Sequence, residues 1–298
     1  MSLKFRVVQD GFGELLVPFD ALYGAQTQRA LHNFAISGLR MPPEFIQAMA
    51  WIKVAAAEAN GMLGHLPAKR AKAIAKAANA IACGEHADQF PVDVFQTGSG
   101  TSTNMNLNEV IAALAHRQAG LAIHPNDDVN YGQSSNDVVP SSSLLASALL
   151  LNRVLLPSLK QLRASVSRKA RQGRGLVKTG RTHLMDAMPI TVEQELSAWL
   201  AQLDSAVARL QDTGKRLLEL PLGGTAVGTG VNADPKMTIL ACRHLAKATG
   251  LRIRLELDRD PERSLALRAV RPVSEIRIWS RDPANVARCA ADIGGRAC

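Results

Sequence analysis

The chain has 298 residues, of which 47% are hydrophobic, enough to bury a core in one large domain or two. Aromatic residues make up only 4% of the chain, and the prevalence of Ala and Leu favours helices over a β-sandwich or barrel. The formal net charge is +9, but Lys and Arg are spread along the length and aromatics are scarce, which argues against a nucleic-acid-binding protein. A small anion suits this mildly positive field better.

The cysteines are widely spaced and form no C-x-x-C or other metal-ligand pattern; they are Cys83, Cys242, Cys289 and Cys298. Their spacing indicates incidental thiols in a reducing compartment rather than a disulfide framework. The N-terminus lacks the pattern of a signal peptide, and no window of about 18 residues is uninterruptedly apolar. The sequence therefore predicts a cytoplasmic protein with no membrane segment and no bound metal.

The N-terminal third predicts helices after an irregular start. Residues 1–40 show no clear period, whereas residues 43–64 are Ala-rich and typical of a helix. Residues 67–83 form a cleaner amphipathic pattern, with Ala71, Ile74, Ala78 and Ile81 on one stripe and Lys69, Lys72 and Lys76 away from it. We interpret these lysines as a solvated face.

Two polar loops stand before helical patterns. The first is T-G-S-G-T-S-T-N-M-N at residues 97–106, with the helix expected from Leu107; it lacks the lysine of a phosphate-binding P-loop. The second is H-P-N-D-D-V-N-Y-G-Q-S-S-N-D at residues 124–137, ending in Ser134, Ser135 and Asn136. Neutral donors at a helix N-terminus favour an anion such as a carboxylate, although an ordinary N-cap remains an alternative.

Two long helices follow, each with an apolar seam typical of a helical bundle. The first seam is Leu144, Ala148, Leu151, Leu155, Leu159, Leu162 and Val166. Pro157 interrupts this helix and predicts a local kink. The second seam is Val192, Leu196, Trp199, Leu203, Val207, Leu210 and Leu217. Because two such helices cannot bury their seams alone, we expect a bundle shared between subunits.

Two further polar segments flank the second long helix. G-R-T-H-L-M-D-A-M-P, residues 180–189, predicts a compact polar group at a helix junction. A single histidine in such a group is more often a structural hydrogen-bond partner than a catalyst. L-G-G-T-A-V-G-T-G, residues 222–230, faintly resembles a dinucleotide fingerprint, but no strand precedes it. A helix opened by Asp234-Pro235 is expected to end at Gly250.

The composition changes after Gly250. Residues 251–298 contain ten arginines and no lysine, and Leu251, Ile253, Leu255 and Leu257 alternate like a strand. We therefore place a boundary near residues 251–262. The predicted domains are 1-136, with the carboxylate-binding loops, 137-250, a partial helical bundle, and 251-298, an unrelated α/β-like tail; the fold class is mainly α.

Four motifs resemble the class II fumarases of the fumarase/aspartase superfamily. They are F-Q-T-G-S-G-T-S-T-N-M-N, H-P-N-D-D-V-N-x-x-Q-S-S-N-D, G-R-T-H-L-x-D-A-x-P and L-G-G-T-A-V-G-T-G. The resemblance covers roughly residues 5–250, continuously and in order. F-P-V-D-V-F-Q and His124 favour fumarase over aspartase. The tail segment A-L-R-A-V-R-P-V-S-E-I-R-I-W-S-R, residues 266–281, resembles part of the ornithine cyclodeaminase/μ-crystallin family.

The resemblance implies reversible hydration of fumarate to L-malate, a step of the tricarboxylic acid cycle, by a homotetramer that needs no cofactor. Each active site of the family takes its motifs from three subunits. The residues that would bind the substrate carboxylates are Ser99, Thr101, Ser134, Ser135, Asn136 and Thr182. His183 would be the catalytic residue, polarising water or relaying protons. His124, Asn126 and Asp127 match the family's second dicarboxylate site.

One family motif is absent from residues 1–298. The loop G-S-S-x-M-P-x-K-x-N-P supplies the family's serine base, and we expect little activity from this chain alone without it. The alternatives are an aspartate ammonia-lyase-like enzyme and a non-catalytic remnant or assembly partner. An NAD-dependent cyclodeaminase is disfavoured because only the tail segment supports it.

Overall fold

Helices carry most of residues 4–255, the part of the chain that the computed structural model describes. The helices are α1 Ala25–Asn33, α2 Pro43–Met62, α3 Ala68–Ala82, α4 Thr101–Ala119, α5 Ser135–Leu150, α6 Leu156–Gln172, α7 Val192–Arg216 and α8 Pro235–Thr249. The strands are short: β1 Phe5–Asp10, β2 Gly13–Pro18, β3 Val177–Thr182, β4 Met185–Thr191, β5 Glu219–Leu220 and β6 Arg254–Leu255. The predicted mainly α class is confirmed.

The described residues fall into two compact units. The first comprises residues up to Ala146 together with those from Glu219 onward, and the second is Ser147–Leu218. In this division the loop after α7 and helix α8 belong with the N-terminal helices. The domains 1-136, 137-250 and 251-298 stay a prediction. The boundary near 251–262 stays a prediction, and Leu257 lies outside the described residues.

In the first unit, the core lies where α2 packs on α3 and α8. Helix α2 is buried almost all round, since its Ala residues allow close helix contacts. Helix α3 is amphipathic as predicted: Ile74 and Ile81 are buried and Lys69, Lys72 and Lys76 are exposed. Helices α2, α3 and α8 therefore form the core of the first unit.

Helix α4 begins at Thr101, six residues before the expected start at Leu107. The sequence pattern hid this start because the first turn is polar while its asparagines and Thr103 are buried. Gly100, at φ 66°, supplies the left-handed conformation that turns the chain into the helix. The hydroxyls of 97–106 therefore lie in the first turn of α4 as well as before it.

In the second unit, α6 packs against α7 and the hairpin β3–β4 precedes α7. The predicted long helices are present, and a π-helical turn, Leu151–Leu155, lies directly before Pro157 in the first turn of α6. A proline lacks the N–H that the preceding turn would need, which accounts for an interruption here. Helix α7 has no buried residue, and Trp199 and Leu162 remain about half exposed.

The segment 180–189 is a β-hairpin, so the predicted helix junction was wrong. His183 and Leu184 form its two-residue turn, with φ 51° and 61°. Two consecutive left-handed residues give the twist that joins antiparallel strands, which neither residue type signals in a sequence. The turn is exposed.

Helix α8 begins as predicted at the Asp234 cap, whose carboxylate accepts from the Lys236 N–H at 2.8 Å, and ends at Gly250 with φ 74°. Among the described residues, one helical stretch, Ser135–Gln172, is long and apolar enough to cross a membrane. Over half of its most apolar window, 56%, is buried within the protein, as in a core helix. The cytoplasmic location stays a prediction.

Candidate functional site

The N-terminus of α5 carries three of the predicted site residues. Ser134, Ser135 and Asn136 are half-buried there. The Asp137 carboxylate accepts the Ser134 N–H at 3.0 Å, and Ser134 Oγ accepts the Asn136 N–H at 3.2 Å. Two N–H groups of the turn are therefore occupied within it, so hydroxyl and amide side chains are the principal donors for a ligand.

The N-termini of α4 and α5 lie side by side. Asn104 donates through Nδ2 to Ser135 Oγ at 3.1 Å. A Cβ on Gly100 would lie 2.9 Å from Cγ1 of Val139, a contact too close for any side chain. Glycine at position 100 therefore lets the two polar helix starts approach. Ser99 and Thr101 are at the same end of α4, with their hydroxyl oxygens 2.8 Å apart.

The loop after α7 joins the same site. Asp137 Oδ2 accepts the N–H groups of Gly223 at 2.8 Å and Thr225 at 3.0 Å. Asn136 donates through Nδ2 to the Ala226 carbonyl at 2.8 Å. Burial raises the pKa of Asp137, while the three backbone N–H groups that it accepts favour its charged form. Asp137 thus ties two of the sequence motifs together.

A buried polar cluster lies behind Ser135. Lys53, within the apolar helix α2, donates to Asn130 Oδ1 at 2.8 Å. Asn104 and Asn108 donate to the same oxygen at 3.2 and 3.3 Å. Sequence reasoning missed Lys53 and these asparagines as site-supporting residues. The available signal was a single lysine within the otherwise apolar stretch 48–57 of α2.

Thr182 and His183 belong to the second unit, at the exposed tip of the β3–β4 hairpin. Of the predicted site residues, Ser99, Thr101, Ser134, Ser135 and Asn136 are brought together in the first unit. The prediction that Thr182 and His183 serve the same pocket stays a prediction.

The predicted second site forms an exposed turn. His124 Nδ1 accepts the Asp127 N–H at 3.0 Å, and the Asp127 carboxylate approaches the same nitrogen at 3.2 Å. Asn126 donates to Asp127 Oδ1 at 3.3 Å. The second-site role of these three residues stays a prediction.

Within residues 4–255, no group of three His, Cys, Asp or Glu side chains is arranged to hold an ion. The polar groups gathered at the α4 and α5 N-termini are hydroxyls and amides, which donate hydrogen bonds to anions well. The arrangement therefore suits a carboxylate ligand.

The family model described as "Lyase" matches residues 13–259, so the chain belongs to this lyase family. It is 56% identical over 250 residues to the class II fumarate hydratase of Xylella fastidiosa strain Temecula1, a match that covers 84% of this chain and 53% of that protein. It is 48% identical over 264 residues to the class II fumarate hydratase of Thermus aquaticus, covering 86% and 57%.

Solved structures also show similarity to class II fumarases. The class II fumarase from Schistosoma mansoni matches with a TM-score of 0.79 and 39% identity, over 83% of this chain and 53% of that one. The resemblance to class II fumarases read from the four motifs is thereby confirmed. The chain spans about half the length of the curated relatives it matches.

Proposed function

We propose that this chain carries the carboxylate-binding part of a fumarate hydratase-type lyase, which adds water reversibly to fumarate to give L-malate. The observation that carries the proposal is the meeting of the α4 and α5 N-termini, where Asn104 contacts Ser135 at 3.1 Å. The relatives of this chain that are named class II fumarate hydratase support the choice of reaction.

The proposed chemistry explains the residue types. Fumarate and malate carry two carboxylates, and removal of the C3 proton of malate places additional negative charge on one of them. Fixed neutral donors stabilise that charge as it develops, without the desolvation cost of a buried cation. We assign Ser99, Thr101, Ser134, Ser135 and Asn136 to carboxylate binding.

We assign water activation and proton handling to Thr182 and His183. Both are on the exposed β3–β4 hairpin, where the imidazole is accessible to hydrogen-bond a water or a substrate oxygen. His124, Asn126 and Asp127 are proposed as a second, entrance-side dicarboxylate site. No metal or organic cofactor takes part in the proposed reaction.

We further propose that the working form is an oligomer, a tetramer as in the family. The support is the apolar face of α6 and α7: Leu162 is 50% and Trp199 51% exposed, although both belong to the predicted seams. Leu162→Asp and Trp199→Asp should reduce the assembled mass measured by light scattering. The exposed Lys76→Met on α3 should not, and an unchanged mass in both Asp variants would contradict the proposal.

Fumarate absorbance tests the activity. The chain is assayed alone and after co-expression with an intact class II fumarase subunit whose matching histidine is replaced. Restored turnover in co-purified complexes supports the assignment of His183. Loss of that turnover when this chain carries His183→Asn would show that its own histidine supplies the activity. Co-purified complexes without turnover would contradict the proposal. L-aspartate serves as the control substrate for the aspartase alternative.

A further inference from the structure

Lys53 is a charged residue in the middle of the buried helix α2. Lys53 has no exposed surface, and its neighbours in α2 include the fully buried Met49 and Ile52. Burying an ammonium is unfavourable unless other groups replace its water. The groups that surround its Nζ atom therefore indicate what the lysine does.

The Asn130 side-chain oxygen receives the lysine. It accepts from Lys53 Nζ at 2.8 Å, and from the amides of Asn104 and Asn108 at 3.2 and 3.3 Å. Three donors on one oxygen fix the position of Asn130 and align both amides of α4 toward it. Asn130 also donates to the Gln133 carbonyl at 3.2 Å, which links this cluster to the chain entering α5.

Asn104 passes this alignment on to Ser135. Its amide has two N–H bonds, and Nδ2 contacts both Asn130 Oδ1 and Ser135 Oγ, at 3.2 and 3.1 Å. Because Ser135 Oγ accepts this bond, its own hydroxyl proton is available for another acceptor. A ligand carboxylate at the α5 N-terminus is such an acceptor.

Burial and the nearby Asp137 carboxylate act in opposite directions on the charge of Lys53. Burial lowers the pKa of Lys53 to about 7, and the negative Asp137 opposes that shift. The side-chain oxygens of Asn104 and Asn108 are buried and accept no hydrogen bond from a described residue. They are further acceptors within the cluster, available to the ammonium or to a water.

We propose that Lys53 is a positioning residue, which acts through Asn130 and Asn104 to hold Ser135 as a hydrogen-bond donor to a substrate carboxylate. The proposal rests on the function proposed above for Ser135. It assigns to α2, which carries none of the family-matched site residues, a part in substrate binding.

The test measures succinate binding by the full chain with calorimetry and isotope-edited infrared spectroscopy of ¹³C-labelled carboxylates. Lys53→Met and Asn104→Ala should each weaken binding about tenfold, the effect of losing one well-placed hydrogen bond. Both should shift the bound carboxylate stretch in the direction that Ser135→Ala does. Lys76→Met, an exposed lysine of α3, is the matched control and should change neither.

A double-mutant cycle separates positioning from general structure. In a Ser135→Ala background, Lys53→Met and Asn104→Ala should have no further effect on affinity, because their influence passes through the serine. Full additivity would overturn the proposal. If Lys53→Met does not fold, Asn130→Ala carries the test, because it removes the oxygen that joins Lys53 to Asn104 and keeps the lysine. An unchanged succinate affinity in Asn130→Ala would then overturn the proposal.

A failure of the proposed function gives a different result from a failure of the positioning proposal. If the unaltered chain binds no succinate, the carboxylate site fails, and crystal structures of Lys53→Met and Asn104→Ala decide the positioning claim alone. Movement of Asn104 or Ser135 in the Lys53 variant supports positioning. Unchanged positions of both side chains would overturn it.

Discussion

Asp137 accepts the backbone N–H of Gly223 at 2.8 Å, joining residues 86 positions apart in the sequence. Together with the Thr225 contact, it holds the loop after α7 against the first turn of α5. One buried carboxylate therefore decides how two polar motifs meet at the candidate site.

Asp137→Asn should destabilise the protein. The amide presents two N–H groups where Ser134, Gly223 and Thr225 all donate, so at least one buried donor loses its partner, at about 1–3 kcal/mol. Urea unfolding measures the change in the free energy of unfolding. Asp212→Asn, in an exposed pair with Lys215, is the control and should stay within about 0.5 kcal/mol; equal values for the two variants would contradict the assigned role.

Gly100→Ala should lower the free energy of unfolding more than Gly120→Ala does. Both glycines have φ 66°, so both variants adopt an unfavourable left-handed backbone, at about 1–2 kcal/mol. Only at position 100 does the new Cβ meet Val139, at 2.9 Å, whereas nothing lies within 4 Å at position 120. The clash should add about 1–3 kcal/mol.

Thermal or urea unfolding of both glycine variants checks this difference. Val139→Ala in the Gly100→Ala background should recover part of the loss, because it removes the contacted methyl groups. Equal destabilisation by the two alanines would show that the α4 and α5 N-termini are not in contact.

Lys53 should make stability depend on pH above neutrality. Its pKa is about 7 in the folded protein and 10.5 as the ordinary value, so between these limits the unfolded chain binds more protons. The free energy of unfolding then rises with pH, by up to about 1.4 kcal/mol per pH unit. Unfolding at pH 7, 8 and 9 measures this slope.

Lys53→Met should remove that contribution, because methionine does not titrate. Lys76→Met should keep the slope of the unaltered protein, since that lysine is exposed. A slope unchanged by Lys53→Met would mean that the lysine is charged equally in both states.

His183→Asn should leave stability within about 0.5 kcal/mol, since position 183 is an exposed turn residue. Asparagine also tolerates its left-handed conformation, φ 51°. Turnover in co-purified mixed complexes should fall about 10²–10³-fold, as for loss of one positioned donor. Absorbance assays measure the turnover, with Lys76→Met as the control variant. Full activity in the His183 variant would contradict the catalytic assignment.

The sequence alone was sufficient for the helices with a clear apolar period. In α3, small apolar residues at three- and four-residue spacing meet the core, and the lysines between them reach water whatever the neighbours are. The polar motifs also identified the family, because their residue types and order are set by the chemistry of an anion pocket.

Local patterns failed where distant contacts decide the conformation. Helix α4 starts at Thr101 because its polar first turns are buried by other parts of the fold, for example where Asn104 donates to Asn130 Oδ1 at 3.2 Å, 26 positions along the chain. The hairpin at His183-Leu184 depends on a backbone twist that neither residue type prefers.

The sequence thus determined which side chains the site contains, through composition and spacing. Only the tertiary structure decided how they are held. Lys53, Asn104 and Asn130 are scattered over α2, α4 and the turn before α5, and no periodic pattern relates them. Their meeting follows from helix packing, which brings Lys53, Asn104 and Asn108 to the side-chain oxygen of Asn130 and thereby orients Ser135.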